Sequence, residues 1–161
     1  MGTAPLSFIG TFYFSAPASD WTTPQNDALW QDAEKTLFDP CPAGWRVPKG
    51  GDEELSPWYN FSLPGTVTPN ANPGTFTAGP SGGHHFYRYG TSGATVWYTA
   101  SGWRTPNLGQ LINTGNDGAY WTATYTGTQS YLLFFTPTVT DPDNIGYTYR
   151  ARGYPVRCIR E

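Results

Sequence analysis

Ala119-Tyr120-Trp121-Thr122-Ala123-Thr124-Tyr125 and Tyr131-Leu132-Leu133-Phe134-Phe135 face each other across Thr126-Gly127-Thr128-Gln129. Both runs are built from aromatic and β-prone residues, which suit a pleated, half-buried surface. They read as two neighbouring strands around a short turn. Outward from them, Val96–Trp103 has the same β character. Gly153–Arg160 reads as a last strand, with Tyr154, Val156 and Cys158 alternating against Pro155, Arg157 and Ile159. Ser7–Ser15 reads as an opening strand. Asn26–Leu37 is a helical candidate, because Leu29, Trp30 and Ala33 share a face at helical spacing. Asp52–Phe61 is a second one: Asp52, Glu53 and Glu54 suit a first turn, although Pro57 limits it. Residues 39–48 form an ordered turn, and 62–93 long loops with one short hairpin. Helices in the N-terminal half and strands in the C-terminal half make an α+β class.

The 161 residues suit a single domain, 1–161. Hydrophobic residues are 38% and aromatic ones 17%, so rings dominate the core. Charged residues are 13%, against a usual value of about 25%. With 19 Gly and 15 Pro, this is a turn-rich composition that leaves little room for long helices. The net charge is −3 and no Lys/Arg run exists, so nothing neutralises phosphates and no nucleic-acid partner is expected. No apolar stretch has the length that spans a bilayer, so no direct membrane insertion is expected. Met1-Gly2-Thr3-Ala4-Pro5 lacks the basic and apolar regions of a signal peptide. The expectation is the C-terminal part of a longer exported protein, with leader and anchor upstream.

Cys41 and Cys158 stand far apart, in unlike flanks. A metal pair would usually show short spacing. A disulfide between them would close a long loop and stabilise by roughly 4–5 kcal/mol. The alternative is two separate buried thiols.

Two blocks carry a resemblance. One is Lys35-Thr36-Leu37-Phe38-Asp39-Pro40-Cys41-Pro42-Ala43-Gly44-Trp45-Arg46-Val47-Pro48. The other runs from Ala100-Ser101-Gly102-Trp103-Arg104 through Gly118–Thr122 and Tyr131–Phe135 to Arg150–Glu161. In order and spacing these resemble the major paralogous domain of Fibrobacter- and Bacteroides-type surface proteins; residues 50–95 carry little of it. The resemblance implies a C-type-lectin-like fold and export to the bacterial cell surface, often at the C-terminal end of a larger lipoprotein or fimbria-like protein. It is shared distantly with formylglycine-generating enzymes and with variable proteins of diversity-generating retroelements. Lys does not occur after Lys49 and the only Met is Met1, as randomised Asn codons in 105–150 would leave it.

No catalytic constellation stands out. Formylglycine-generating enzymes place two cysteines close together late in the chain, and here only Cys158 is late. No Gly-x-Ser-x-Gly elbow occurs, so a non-enzymatic domain is expected. His84-His85 reads as a surface loop, since neighbours on a strand would point oppositely and share no metal. Asp141-Pro142-Asp143-Asn144 offers oxygen ligands of calcium type, but equally encodes a β-turn. No cofactor is expected. Trp45, Trp103 and Trp121, in fixed-looking blocks, read as core.

The expected ligand face starts from Leu132 and Phe134. If Tyr131, Leu133 and Phe135 face the core, these two point away and need a cover: the 62–93 loops or a ligand. Thr122, Thr124, Tyr125, Asn107, Asn116, Asp117, Tyr147 and Tyr149 would surround them as a polar, aromatic rim. The expectation is a monomer that recognises a surface protein or glycan. The alternative is a structural or tip domain of a fimbria-like assembly.

Overall fold

The computed structural model describes residue 20 and residues 24–50, 57, 74–87, 95–106, 108–138 and 140–161, the side chains of Tyr87 and 140–147 excepted. Ser7–Ser15 and nearly all of Asp52–Phe61 lie outside these residues, as do Trp21, Trp58 and Asn107.

Ten strands follow in chain order: β1 (Trp45–Arg46), β2 (Gly74–Thr77), β3 (Gly83–Tyr87), β4 (Thr95–Thr99), β5 (Trp103–Arg104), β6 (Leu111–Ile112), β7 (Gly118–Thr126), β8 (Gln129–Phe135), β9 (Thr140–Tyr149) and β10 (Ile159–Arg160). They form four small antiparallel sheets: β1–β10, β2–β3–β4, β5–β6 and β7–β8–β9. The described residues hold no helix, so the class is all-β, and the α+β expectation is corrected.

Asn26–Leu37 shows why. It is a chain of turns and bends, because its polar groups bond sideways. Asn26 Oδ1 accepts from the Ala28 amide, Thr36 Oγ1 donates to the Leu29 carbonyl, and Arg46 donates to the Asp32 carbonyl. The indole of Trp30 reaches the Phe38 carbonyl at 3.0 Å. Such bonds compete directly with the helical ladder.

The β7–β8 hairpin forms as its residues predict. Thr126 pairs with Gln129, leaving a two-residue loop with Gly127 at φ 56. That backbone favours glycine at the first position of a tight hairpin turn. Between Trp121 and Tyr125 the register shifts, so Thr122–Thr124 bulge from the ladder. Thr122 then donates to the Tyr131 carbonyl at 2.9 Å.

The main core lies between two sheets. Phe86, Tyr98 and Ala100 meet Tyr120, Leu133 and Phe135, flanked by Phe76 and Val96. The rings meet mostly edge to face, Phe86 with Tyr98 at 5.4 Å and Tyr98 with Tyr120 at 5.1 Å. This geometry suits aromatic quadrupoles. A Cβ on Gly118 would stand 1.9 Å from the Phe135 ring, so only glycine lets that ring close against β7.

His84 belongs to this core. It sits on β3, not in a surface loop, fully buried and stacked on Phe86 at 4.2 Å. His85 points to the other face, against Trp97. The two do point oppositely, as on any strand. Phe76, Phe86 and Phe135 surround the buried imidazole.

A second cluster holds Cys41, Val47 and Ala123 with Trp30, Val156 and Cys158. Cys41 and Cys158 are disulfide-bonded, with Cα atoms 5.8 Å apart. Such a bond belongs to an oxidising compartment. Beside it β1 pairs with β10, Arg46 opposite Ile159. Asp39 organises this corner: its carboxylate accepts from Lys35, from the Cys41 amide and from the Val47 amide. Burial alone would raise its pKa. The bonds from Val47, Lys35 and Cys41 outweigh that and hold it below the usual carboxylate value.

Three smaller expectations change. Of Gly153–Arg160, only Ile159–Arg160 is strand. The preceding residues instead lie along β7, where Trp121 donates to the Pro155 carbonyl at 3.0 Å. Asp141-Pro142-Asp143-Asn144 runs within β9 and is not a turn. Trp121 is buried as expected, but Trp103 is half-buried and Trp45 is 44% exposed on the two-residue strand β1.

Candidate functional site

β8 turns its two faces to different neighbours. Leu133, opposite Tyr120, and Phe135, opposite Gly118, enter the main core. Leu132, opposite Trp121, and Phe134, opposite Ala119, take the other face. Leu132 is buried and Phe134 half-buried. Their described cover comes from β5 and the C-terminal segment; of the expected 62–93 cover, residues 62–73 and 88–93 lie outside the described residues. Tyr154 meets Trp121 edge to face at 4.8 Å and Trp103 at 6.0 Å. The Arg152 guanidinium lies 4.5 Å over the Trp103 ring.

This cover stops short of closure. It leaves an open cleft of about 540 Å³, lined by Trp103, Asn113, Asp117, Leu132, Phe134, Thr148, Arg152 and Tyr154. Asp117 is 6% exposed. Its carboxylate accepts the Asn113 amide at 2.6 Å and the Asn116 amide at 2.7 Å. Backbone bonds fix the turn beneath: the Asn113 carbonyl accepts from the Asn116 and Asp117 amides. Asn113 itself has φ 56, a conformation Asn tolerates better than most residues. Arg152, also in the lining, donates to the Tyr154 hydroxyl at 3.3 Å.

A second cleft, about 420 Å³, lies beside the β7 bulge; Thr122, Tyr125, Trp30, Asp27 and Arg150 are among its lining residues. Its polar groups are largely satisfied by one another. Arg150 contacts Asp20 at 3.1 Å and Asp27 at 2.6 Å, donates to the Gly127 carbonyl at 2.8 Å, and stacks on Tyr125 at 4.6 Å. The Gln25 amide bond, against opposing desolvation and with help from Arg150, keeps the Asp27 pKa below its ordinary value. Thr124 is tied to Asp32 at 2.7 Å and to the Gly50 amide at 2.9 Å. This site ties the early segment to the hairpin tip.

The ten expected ligand residues therefore divide. Asp117, Leu132 and Phe134 meet in the first cleft, with Asn116 beside them through Asp117. Thr122 and Tyr125 line the second, and Thr124 anchors its wall. Tyr149 is exposed and lines neither. Asn107 and the Tyr147 side chain lie outside the described residues. Sequence reasoning missed Trp103, Asn113, Thr148, Arg152 and Tyr154. The block around Trp103 reads as core, and nothing local tells that Arg152 and Tyr154 fold back over β7.

Among the described residues no group of three or more His, Cys, Asp or Glu side chains could hold a metal ion. Among the described residues there is no helix long and apolar enough to cross a membrane. No protein-family model, no curated protein and no solved structure matches the chain.

Proposed function

We propose that the chain is a non-enzymatic recognition domain of a bacterial cell-surface protein, and that it binds its ligand in the cleft between β5 and the outer face of β7–β8. One observation carries this reading. The cleft gathers three rings, a buried carboxylate and a guanidinium around an apolar floor. An apolar centre with a few oriented polar groups is how small-ligand and recognition sites are built. The disulfide supports export, and the two cysteine-bearing blocks support membership of the major paralogous group of surface proteins. The lectin-like α+β fold is not part of the proposal. Asn113, Asn116 and Asp117 fall within 105–150, so a reverse-transcriptase gene beside a near-copy of this stretch would add diversification to the reading.

The test is to screen the labelled chain on arrays of glycans and bacterial or host surface proteins. The double variant Trp103→Ala, Phe134→Ala is screened beside it. Wild-type binding that the variant loses, with unfolding still cooperative, supports the reading. Undiminished binding by the folded variant refutes it.

One observation favours the alternative, a subunit of a fimbria-like assembly. Among the described residues the ten-residue β9 pairs only with β8 and forms a sheet edge. Such an edge can accept another chain's strand. Concentration-dependent oligomers in sedimentation, abolished by a proline within β9, would favour assembly.

A further inference from the structure

We infer that the ligand of this cleft presents a primary ammonium on an apolar stem, as a lysine side chain or a free alkylamine does; this rests on the reading that the cleft is the ligand site. Two buried polar groups of the lining carry the inference. Asp117, 6% exposed, accepts from two neutral amides, those of Asn113 and Asn116, and forms no ion pair among the described residues. An ionised carboxylate offers about four acceptor sites, so two remain for donors brought from outside. Buried charges are ordinarily paired, and here the place of the counter-charge is open to a ligand. Thr148, 5% exposed, also lines the cleft, and its hydroxyl has no hydrogen-bond partner among the described residues.

The strand register orders these groups. Asp117 precedes Gly118, which faces Phe135, and the row then runs through Ala119 opposite Phe134 and Trp121 opposite Leu132. Thr148, opposite Ser130, stands at the other end. The cleft is thus polar at both ends, with Leu132 and Phe134 between. A lysine stem lies along such apolar surface while its head keeps polar contact. An ammonium has three donors and no acceptor, which suits a carboxylate and a hydroxyl oxygen. Arg152, the other charged side chain of the lining, forms no ion pair with Asp117; its guanidinium lies over the Trp103 ring and donates to the Tyr154 hydroxyl. An anionic ligand would place a like charge beside Asp117. A neutral hydroxyl can donate one bond but brings no counter-charge.

The experiment titrates the whole chain with n-butylammonium and with Nα-acetyl-lysine methylamide, followed by indole fluorescence and amide NMR. Parallel arms use n-butanol, which keeps the stem without the charge, butyrate as an anion, and tetramethylammonium as a cation without N–H donors. Butylammonium should shift the Asn113–Asp117 amides and bind about tenfold or more tightly than butanol, since a bond between charged groups is gained. Tighter binding of the lysine amide than of butylammonium assigns the site to a side chain of a partner protein; the reverse assigns it to a free amine. Asp117→Asn should bring the butylammonium-to-butanol ratio close to one, while Tyr149→Ala, outside both clefts, should leave it unchanged. The wild-type ratio decides the matter even where Asp117→Asn, which also disturbs the Asn113 and Asn116 bonds, fails to fold. Equal or tighter binding of butanol, butyrate or tetramethylammonium overturns the inference, as does a folded Asp117→Asn variant that keeps the full ratio. If neither amine binds, the ammonium assignment falls, and binding on the protein and glycan arrays decides the broader reading separately.

Discussion

Replacing both cysteines, Cys41→Ala with Cys158→Ala, removes the covalent tie without leaving a free thiol. The bond spans a sequence separation of 117. The loop-entropy relation gives about 16 cal/mol/K for such a loop, or about 4.9 kcal/mol at 25 °C. Little local pairing would replace it, since β1 and β10 share two residue pairs and one further backbone bond, Glu161 to Gly44 at 3.1 Å. Two-state unfolding in urea, followed by tryptophan fluorescence, should therefore lose about 4–5 kcal/mol. For a chain of this size the corresponding fall in Tm is about 10–20 °C. The m-value should rise, because the uncrosslinked denatured chain exposes more surface. Hydrogen exchange at Arg46 and Ile159 should quicken before that of β7 and β8. A loss under about 1 kcal/mol with unchanged m would refute the reasoning. It would mean that the denatured chain keeps these ends together without the bond.

Trp121→Ala should cost about 3–5 kcal/mol by thermal unfolding, and the 44%-exposed Trp45 only about 1 kcal/mol on the same change. Gly118→Ala should cost about 1–3 kcal/mol, because the Phe135 ring must leave its site; an unchanged Tm would contradict the packing described. His84 should make the chain acid-sensitive. Burial, the largest influence, lowers its pKa from 6.5, so the native state holds the imidazole neutral while the unfolded chain takes up a proton. Its full contribution is thus present above pH 6.5 and declines as pH falls, by at most about 1.4 kcal/mol per pH unit. His84→Phe should flatten that slope in denaturation series from pH 7.5 to 5.

The parts legible in sequence are those where local pattern and tertiary packing agree. In Gly118–Phe135 the alternation, the aromatic content and Gly127 all specify one hairpin, and it forms with Leu133 and Phe135 inward. Cys41 and Cys158 were legible because little else explains two cysteines so placed. Asn26–Leu37 was misread because its apolar spacing matches a helix, while its carbonyls are claimed by Thr36 and by Arg46. Spacing reports a face; it does not report which distant side chain will take a backbone acceptor. β9 was missed because Asp141-Pro142-Asp143-Asn144 has turn chemistry, and only pairing with β8 makes it a strand.

The site follows the same division. Leu132 and Phe134 were found because period-two alternation places them opposite the core. Their cover was not found, because it depends on where the C-terminal segment returns. That return is set by Arg104 pairing with Gly153 and by Trp121 bonding to the Pro155 carbonyl, contacts between residues far apart in sequence. The disulfide fixes Cys158 a few residues further on, so the cleft wall is held at both ends by the fold's frame. Arg152 and Tyr154 consequently line the cleft from a braced segment, not from a free loop. A ligand in this cleft would meet side chains whose ordering cost was met during folding, the condition under which a small polar contact surface binds well.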